Sequence, residues 1–185
     1  MESITKFAAI LFSIAAGMIG GSPVKAPAPK PPVQQPVRGV KALENKQIPA
    51  FSMKAIDGKT ITKQTLLGKV VVLDFWASWC GPCKEASPVM DQLQKKYAAN
   101  KVQIIGVNCM EEKPGSSFAK KYQAEHKYSF TFTFDNDAIT KKWDIAGVPT
   151  FVVIDRKGKV AYTADYWTPQ IKADLLAVVD RLAKS

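Results

Sequence analysis

The stretch "FWASWCGPCKEASPVM", residues 75–90, decides how this chain is read. An apolar run ends in it, and two cysteines follow with only Gly81 and Pro82 between them. Such a pair can clamp a metal, crosslink the chain, or cycle between dithiol and disulfide. The chain has 185 residues and three cysteines, Cys80, Cys83 and Cys109. One domain of this size buries enough apolar surface to fold without crosslinks. An odd cysteine count in such a chain is no disulfide scaffold.

Zinc would need Cys109 and the single histidine, His126, to complete a set with the pair. Their spacings match no ribbon or finger, and there is no second close pair. A structural bridge over so small a loop removes little entropy from the unfolded chain. Redox chemistry fits better. The strand ends near Ala77 and a helix begins around Cys80, with Pro82 in its first turn, where a missing N–H is not needed. Cys80 then lies at the positive end of a helix, which favours thiolate over thiol. Cys83 follows about one turn later, so one cysteine can attack and the other resolve the mixed disulfide.

The flanking pattern predicts an α/β sandwich with a mixed sheet. "KVVVLDFWA" (69–77) is continuously apolar, as a central strand covered on both faces should be. Before it, "AFSMKAIDGKTIT" (50–62) reads as a hairpin turning at Asp57-Gly58. After the cysteines, Ala86, Met90, Leu93 and Tyr97 recur at helical spacing. "VQIIGVN" (102–108) is a second buried strand, "SSFAKKYQAEHK" (116–127) a helix, and "SFTFTFD" (129–135) a half-buried strand. "DAITKKW" (137–143) is a short helix. "TFVVID" (150–155) and "VAYTA" (160–164) flank Arg156-Lys157-Gly158 as an edge hairpin. Thr168-Pro169 offers an N-cap and first-turn proline to a last helix, whose stripe is Ile171, Leu175, Val178 and Leu182.

Residues 1–36 have a different character. Lys6 precedes an apolar run over 7–20, and small residues follow, the layout of a secretory signal. Residues 1–22 are therefore expected to be a signal peptide or an N-terminal membrane anchor, although the run is short for a full span. Glu2 offsets Lys6, and cleavage near Gly21 or near Ala26 both fit. No cysteine lies there to carry a lipid. Residues 23–36 hold six of the twelve prolines and read as a semi-rigid linker, with a proline-motif ligand as the alternative. The folded domain is expected over 37–185. Net charge is +10, from 26 basic and 16 acidic residues. The lysines are dispersed with no basic helix or basic-aromatic module, so nucleic acid is not an expected partner.

"VVLDFWASWCGPCK" (71–84), with "GVPT" (147–150) about 65 residues after the pair, resembles the active-site strand and motif of the thioredoxin superfamily. The leader, the proline linker and "IPAFSMKAIDGKTIT" (48–62) look like its extracytoplasmic TlpA/ResA-like branch, and the resemblance spans about 48–184. It implies a thioredoxin fold: a mixed central sheet flanked by helices on both faces, with an N-terminal β-hairpin extension. It also implies that Cys80 is the nucleophile, Cys83 the resolving cysteine, and Asp74 a buried carboxylate relaying the resolving thiol's proton. Pro149 matches the family's cis-proline; residues alone leave it equally a trans proline opening the next strand. The Val148 backbone, Trp79, Gly81 and Pro82 complete the implied substrate surface.

Two readings stay open beside these. Asp74 could make only a structural hydrogen bond or ion pair, and Trp76, with Trp79, could be packing. The sequence also departs from the branch. The position three after Cys83 is Ala86, where a glutamate is common, and Glu85 falls on another helix face. The position where thioredoxins place a lysine near the buried acid matches Gly106. Cys109 reads as a small buried hydrophobe, with a regulatory or mispairing role as the alternative, and His126 as solvated.

The expected function is an exported thiol-disulfide oxidoreductase, periplasmic or in the cell envelope, that reduces protein disulfides. Gly-Pro between the cysteines resembles reducing thioredoxins. The Cys80–Cys83 disulfide would carry the electrons with no metal or other cofactor. A membrane-bound thiol reductant, a tether at the N-terminal segment and a role in cytochrome c maturation fit the branch. Two alternatives are weaker. A thiol peroxidase would place its cysteine in a P-x-x-x-T/S-x-x-C context, absent here. Copper-delivering modules of this superfamily usually place three residues between the cysteines and add a distal histidine.

Overall fold

The computed structural model describes residues 39–97 and 102–185, so the expectations for the leader and linker lie outside the described residues. In chain order the elements are β1 (Ser52–Ala55), β2 (Thr60–Thr62), α1 (Lys63–Leu66), β3 (Val70–Trp76) and α2 (Gly81–Tyr97). Then come β4 (Val102–Asn108), α3 (Ser117–His126), β5 (Thr131–Phe134), α4 (Asp137–Lys142), β6 (Thr150–Ile154), β7 (Val160–Asp165) and α5 (Pro169–Lys184). The strands form one seven-stranded sheet in the order β2-β1-β5-β4-β3-β6-β7. It is mixed: β3 runs parallel to β4 and antiparallel to β6.

All seven residues of β3 are buried, because helices cover both faces of the sheet. Val70, Val72 and Trp76 face one core, with Cys80, Cys83, α2, α3 and α5. Val71, Leu73 and Phe75 face the other, with α1, α4 and the 3-10 turn Val40–Leu43. Asp74 shares the parity of the first set, which puts it on the disulfide side. The β1–β2 hairpin turns where the sequence indicated. Gly58 has φ 89°, which glycine adopts freely, and the Lys59 N–H donates to Asp57 Oδ1 at 3.0 Å.

The last helix starts as read: Thr168 Oγ1 accepts the Ile171 N–H at 3.2 Å, and Pro169 opens the first turn. Its buried face differs from the expected stripe. Leu175 and Val179 are the fully buried pair, while Ile171, Val178 and Leu182 are only half-buried. The helix is rolled slightly about its axis to fit over β3 and β6, a packing choice that periodicity alone does not fix.

Gly106 of β4 lies in register with Asp74. A Cβ there would meet the Phe132 ring at 3.0 Å and the Phe130 ring at 3.2 Å. Phe130 and Phe132 stack with centroids 4.5 Å apart, so neither yields easily. Gly106→Val should therefore cost about 1–3 kcal/mol through overpacking. Urea unfolding of the two proteins measures this, and an unchanged midpoint would show that the rings have room to move.

Candidate active site

The chain leaves the end of β3 through Ala77, Ser78 and Trp79 and enters α2 at Cys80. Two backbone bonds make the turn: the Cys80 N–H donates to Ala77 C=O at 3.1 Å, and the Lys84 N–H to Cys80 C=O at 3.4 Å. Cys80 Sγ accepts the Cys83 N–H at 3.2 Å, in the manner of an N-cap side chain. A thiolate at that sulfur would gain from this donor and from the helix dipole. Cys80 and Cys83 are joined by a disulfide with Cα atoms 5.3 Å apart. Cys80 is 3% exposed and Cys83 is fully buried, whereas Gly81 and Pro82 between them are exposed.

A second segment, just past the end of β4, holds this turn in place. Glu111 accepts from the Ser78 N–H at 2.6 Å, the Ser78 hydroxyl at 2.7 Å and Asn108 Nδ2 at 2.6 Å. The Trp79 indole N–H donates to Met110 C=O at 2.8 Å, and the Cys109 N–H to Trp76 C=O at 3.0 Å. Sequence reading missed Ser78, Asn108 and Glu111. The available signal was position: a polar residue and a carboxylate right after a buried strand parallel to β3 must emerge at the same end of the sheet.

The structure brings the other singled-out residues to this end in different ways. Trp79 is 58% exposed beside the pair, while Trp76 is buried and packs on Tyr122 and Phe132. The Val148–Pro149 peptide is cis, and Val148 packs against the core cluster that contains both cysteines. Neither the N–H nor the C=O of Val148 is engaged in a backbone hydrogen bond among the described residues. Glu85 is exposed and Ala86 buried, so Glu85 does face away from the core. Cys109 is buried; burial pushes its thiol well up, and the charges of Asp137, Asp74 and Glu111 add to that. His126 is exposed, but its ring is not simply solvated: it stacks on Tyr128 with centroids 5.2 Å apart.

Asp74 is 1% exposed, and its Oδ1 has no hydrogen-bond partner. Burial alone pushes its carboxyl up to about 7. Opposite it in the ladder stand Gly106 and Phe151, so no cation reaches it from its strand neighbours.

The Redoxin family model matches residues 43–174, a span that contains the pair, the Ser78–Glu111 contacts and the Val148–Pro149 loop. The chain belongs to the Redoxin family. Within it, the protein groups with the TlpA/ResA-like oxidoreductases of the thioredoxin superfamily. It is 32% identical over 117 residues to the thioredoxin-like protein YneN of Bacillus subtilis, covering 63% of this chain and 68% of that protein. It is 34% identical over 119 residues to the thiol-disulfide oxidoreductase ResA of Bacillus subtilis, covering 63% of this chain. There the match spans 64% of the relative, slightly less than two thirds of its length. Among solved structures, a candidate thiol:disulfide interchange protein DsbE from Chlorobium tepidum superposes with TM-score 0.69 at 33% identity. That match covers 76% of this Redoxin-family chain and 97% of the other.

The raised Asp74 carboxyl has a stability consequence with a definite sign. In the unfolded chain it titrates near 3.9, so below that pH it is protonated in both states and its ionisation contributes nothing to the difference. As pH rises toward 7 the native state retains the proton, and stability falls; above 7 the loss is constant. About three pH units at ~1.4 kcal/mol each bound the loss at roughly 4 kcal/mol. Asp74→Asn, which cannot ionise, should match the wild type near pH 4 in urea unfolding and exceed it increasingly up to pH 7–8. A constant offset at all pH values would show that Asp74 is charged and compensated in the native state.

Proposed function

We infer that this protein reduces protein disulfides through a Cys80–Cys83 dithiol/disulfide cycle. The observation that carries the reading is the Cys80 sulfur at the start of α2, accepting the Cys83 N–H and bonded to Cys83. In the cycle, Cys80 thiolate attacks a substrate disulfide; a mixed disulfide forms and one substrate thiolate leaves. Cys83 gives up its thiol proton and attacks Cys80 Sγ. The second substrate thiolate leaves, and the Cys80–Cys83 disulfide retains the oxidising equivalent of that two-electron exchange. A dithiol reductant must then restore the pair.

Asp74 is the proposed acceptor of the Cys83 proton. It lies on the same side of the sheet as the pair, and a carboxyl held near 7 is matched to a proton transfer at neutral pH. The Val148 backbone, with its unengaged N–H and C=O, is the proposed edge along which an extended substrate segment pairs. Trp79, Gly81 and Pro82 supply the exposed rim. Export to the cell envelope, a membrane-bound reductant and action on the haem-attachment cysteines of apocytochrome c complete the proposal. They rest on the leader-like residues 1–22 and on the branch the chain resembles.

Two variants test the chemistry step by step. In the reduced protein at neutral pH, iodoacetamide should modify Cys80 well before Cys83 or Cys109, and Cys83→Ser should accumulate a mixed disulfide on Cys80. Asp74→Asn should leave formation of the mixed disulfide near the wild-type rate and slow its resolution by roughly 10- to 100-fold, the low end of general-base contributions. First labelling at Cys83 would reverse the nucleophile assignment, and unchanged resolution in Asp74→Asn would remove the relay.

A further inference from the structure

The loop that leaves β4 is pinned from two sides. Asn108 and Asn136 are both buried, and Asn136 donates to Asn108 C=O through its backbone N–H at 3.3 Å and its Nδ2 at 2.9 Å. Met110 has φ 55°, a conformation uncommon outside glycine. Its N–H donates to Asp137 Oδ1 at 2.7 Å, and its C=O accepts the Trp79 indole N–H at 2.8 Å. With residues 108–110 held this way, Glu111 is delivered to one place beside the redox turn.

Three donors meet it there: the Ser78 N–H at 2.6 Å, the Ser78 hydroxyl at 2.7 Å and Asn108 Nδ2 at 2.6 Å. Asn108 Nδ2 also reaches Trp76 C=O at 3.5 Å, which ties the carboxylate to the last residue of β3. A carboxylate offers about four lone-pair sites and no donor, so it can accept all three at once. Glu111 forms no ion pair among the described residues, so its charge serves these donors. Ser78 lies two residues before Cys80, inside the bond from the Cys80 N–H to Ala77 C=O. Holding Ser78 therefore sets where Cys80 Sγ stands relative to the Cys83 N–H, its donor at 3.2 Å.

We propose that Glu111 is a positioning residue of the redox centre. By bracing Ser78 it keeps Cys80 Sγ at the helix start, where the Cys83 N–H and the helix dipole favour thiolate over thiol. It acts through the turn and takes no part in the electron exchange. This rests on the reductase reading above and adds the residue that prepares the attacking thiol.

The test is the pH profile of iodoacetamide alkylation at Cys80 in the reduced protein, because the thiolate is the reacting form. Glu111→Ala should raise the midpoint by about one pH unit and slow labelling below it roughly tenfold, the weight of one hydrogen bond to a charged group. Ser78→Ala keeps the N–H, loses the hydroxyl and should shift the midpoint the same way by less. Glu111→Gln should recover most of the wild-type profile: its carbonyl can take the Ser78 N–H and Asn108 while its amide turns to the Ser78 hydroxyl. Val160→Ala, a core truncation at the far end of the sheet, should lower the urea midpoint and leave the profile in place. An unshifted profile in Glu111→Ala overturns the proposal. An equal shift in Glu111→Gln also overturns it, by assigning the effect to charge, and an equal shift in Val160→Ala does so by assigning it to stability. Should Glu111→Ala fail to fold, an unshifted Ser78→Ala is enough to overturn it. Turnover of Glu111→Ala should fall by the same factor on a protein disulfide and on a small aromatic disulfide; a loss confined to the protein substrate would make Glu111 a substrate contact instead. A wild type that reduces neither disulfide overturns the reductase reading and leaves the Cys80 profile to decide on Glu111.

Discussion

Everything at the redox end depends on the burial of β3 from both sides. A strand with no exposed face is locked in register by two neighbours, so its C-terminal end cannot shift without moving β4 and β6 as well. The turn that follows is therefore anchored, and α2 must start where the turn ends. Cys80 becomes the residue that caps this helix. In the reduced pair a thiolate at that location would gain from the Cys83 N–H and the helix dipole, even though water scarcely reaches the sulfur.

Burial is the largest cause that raises the Cys109 thiol, so a thiolate at Cys80 would depend on the helix-start donor to offset desolvation. That compensation requires the turn to hold its shape, and Glu111, just past the end of the neighbouring strand, braces it through both donors of Ser78. A charged acceptor taking three donors is stronger than neutral hydrogen bonds of the same length. Hence the end of β4 is as much a part of the site as the end of β3, although none of its residues carries the electrons.

Asp74 sits under the opposite constraint. It occupies a position that the packing of β3 would fill with valine, and the aromatic pair Phe130 and Phe132 fills the space over Gly106 where a compensating cation would have to enter. The carboxyl is left without a counter-charge, and its proton becomes the cheaper way to neutrality. A fold gains nothing in stability from such a residue.

Much of this was legible in the chain. The continuous apolar run at 69–77, the helix-period residues after Cys83 and the Gly58 and Gly158 turns mark the elements and their order, because local geometry and burial periodicity are properties of contiguous residues. The cysteine pair could be read as a redox centre for the same reason: its spacing and its place at a helix start are local. The rest was settled only by tertiary structure. Glu111 reaches Ser78 across 33 positions and the Tyr166 N–H meets Pro149 across 17, and no periodicity records such pairings. The roll of α5 that buries Val179 rather than Val178, and the aromatic wall that leaves Asp74 without a cation, depend on how side chains from separate strands and helices share one volume. Sequence determines which residues seek burial; which of them meet, and which charges are left alone, is decided when the layers pack.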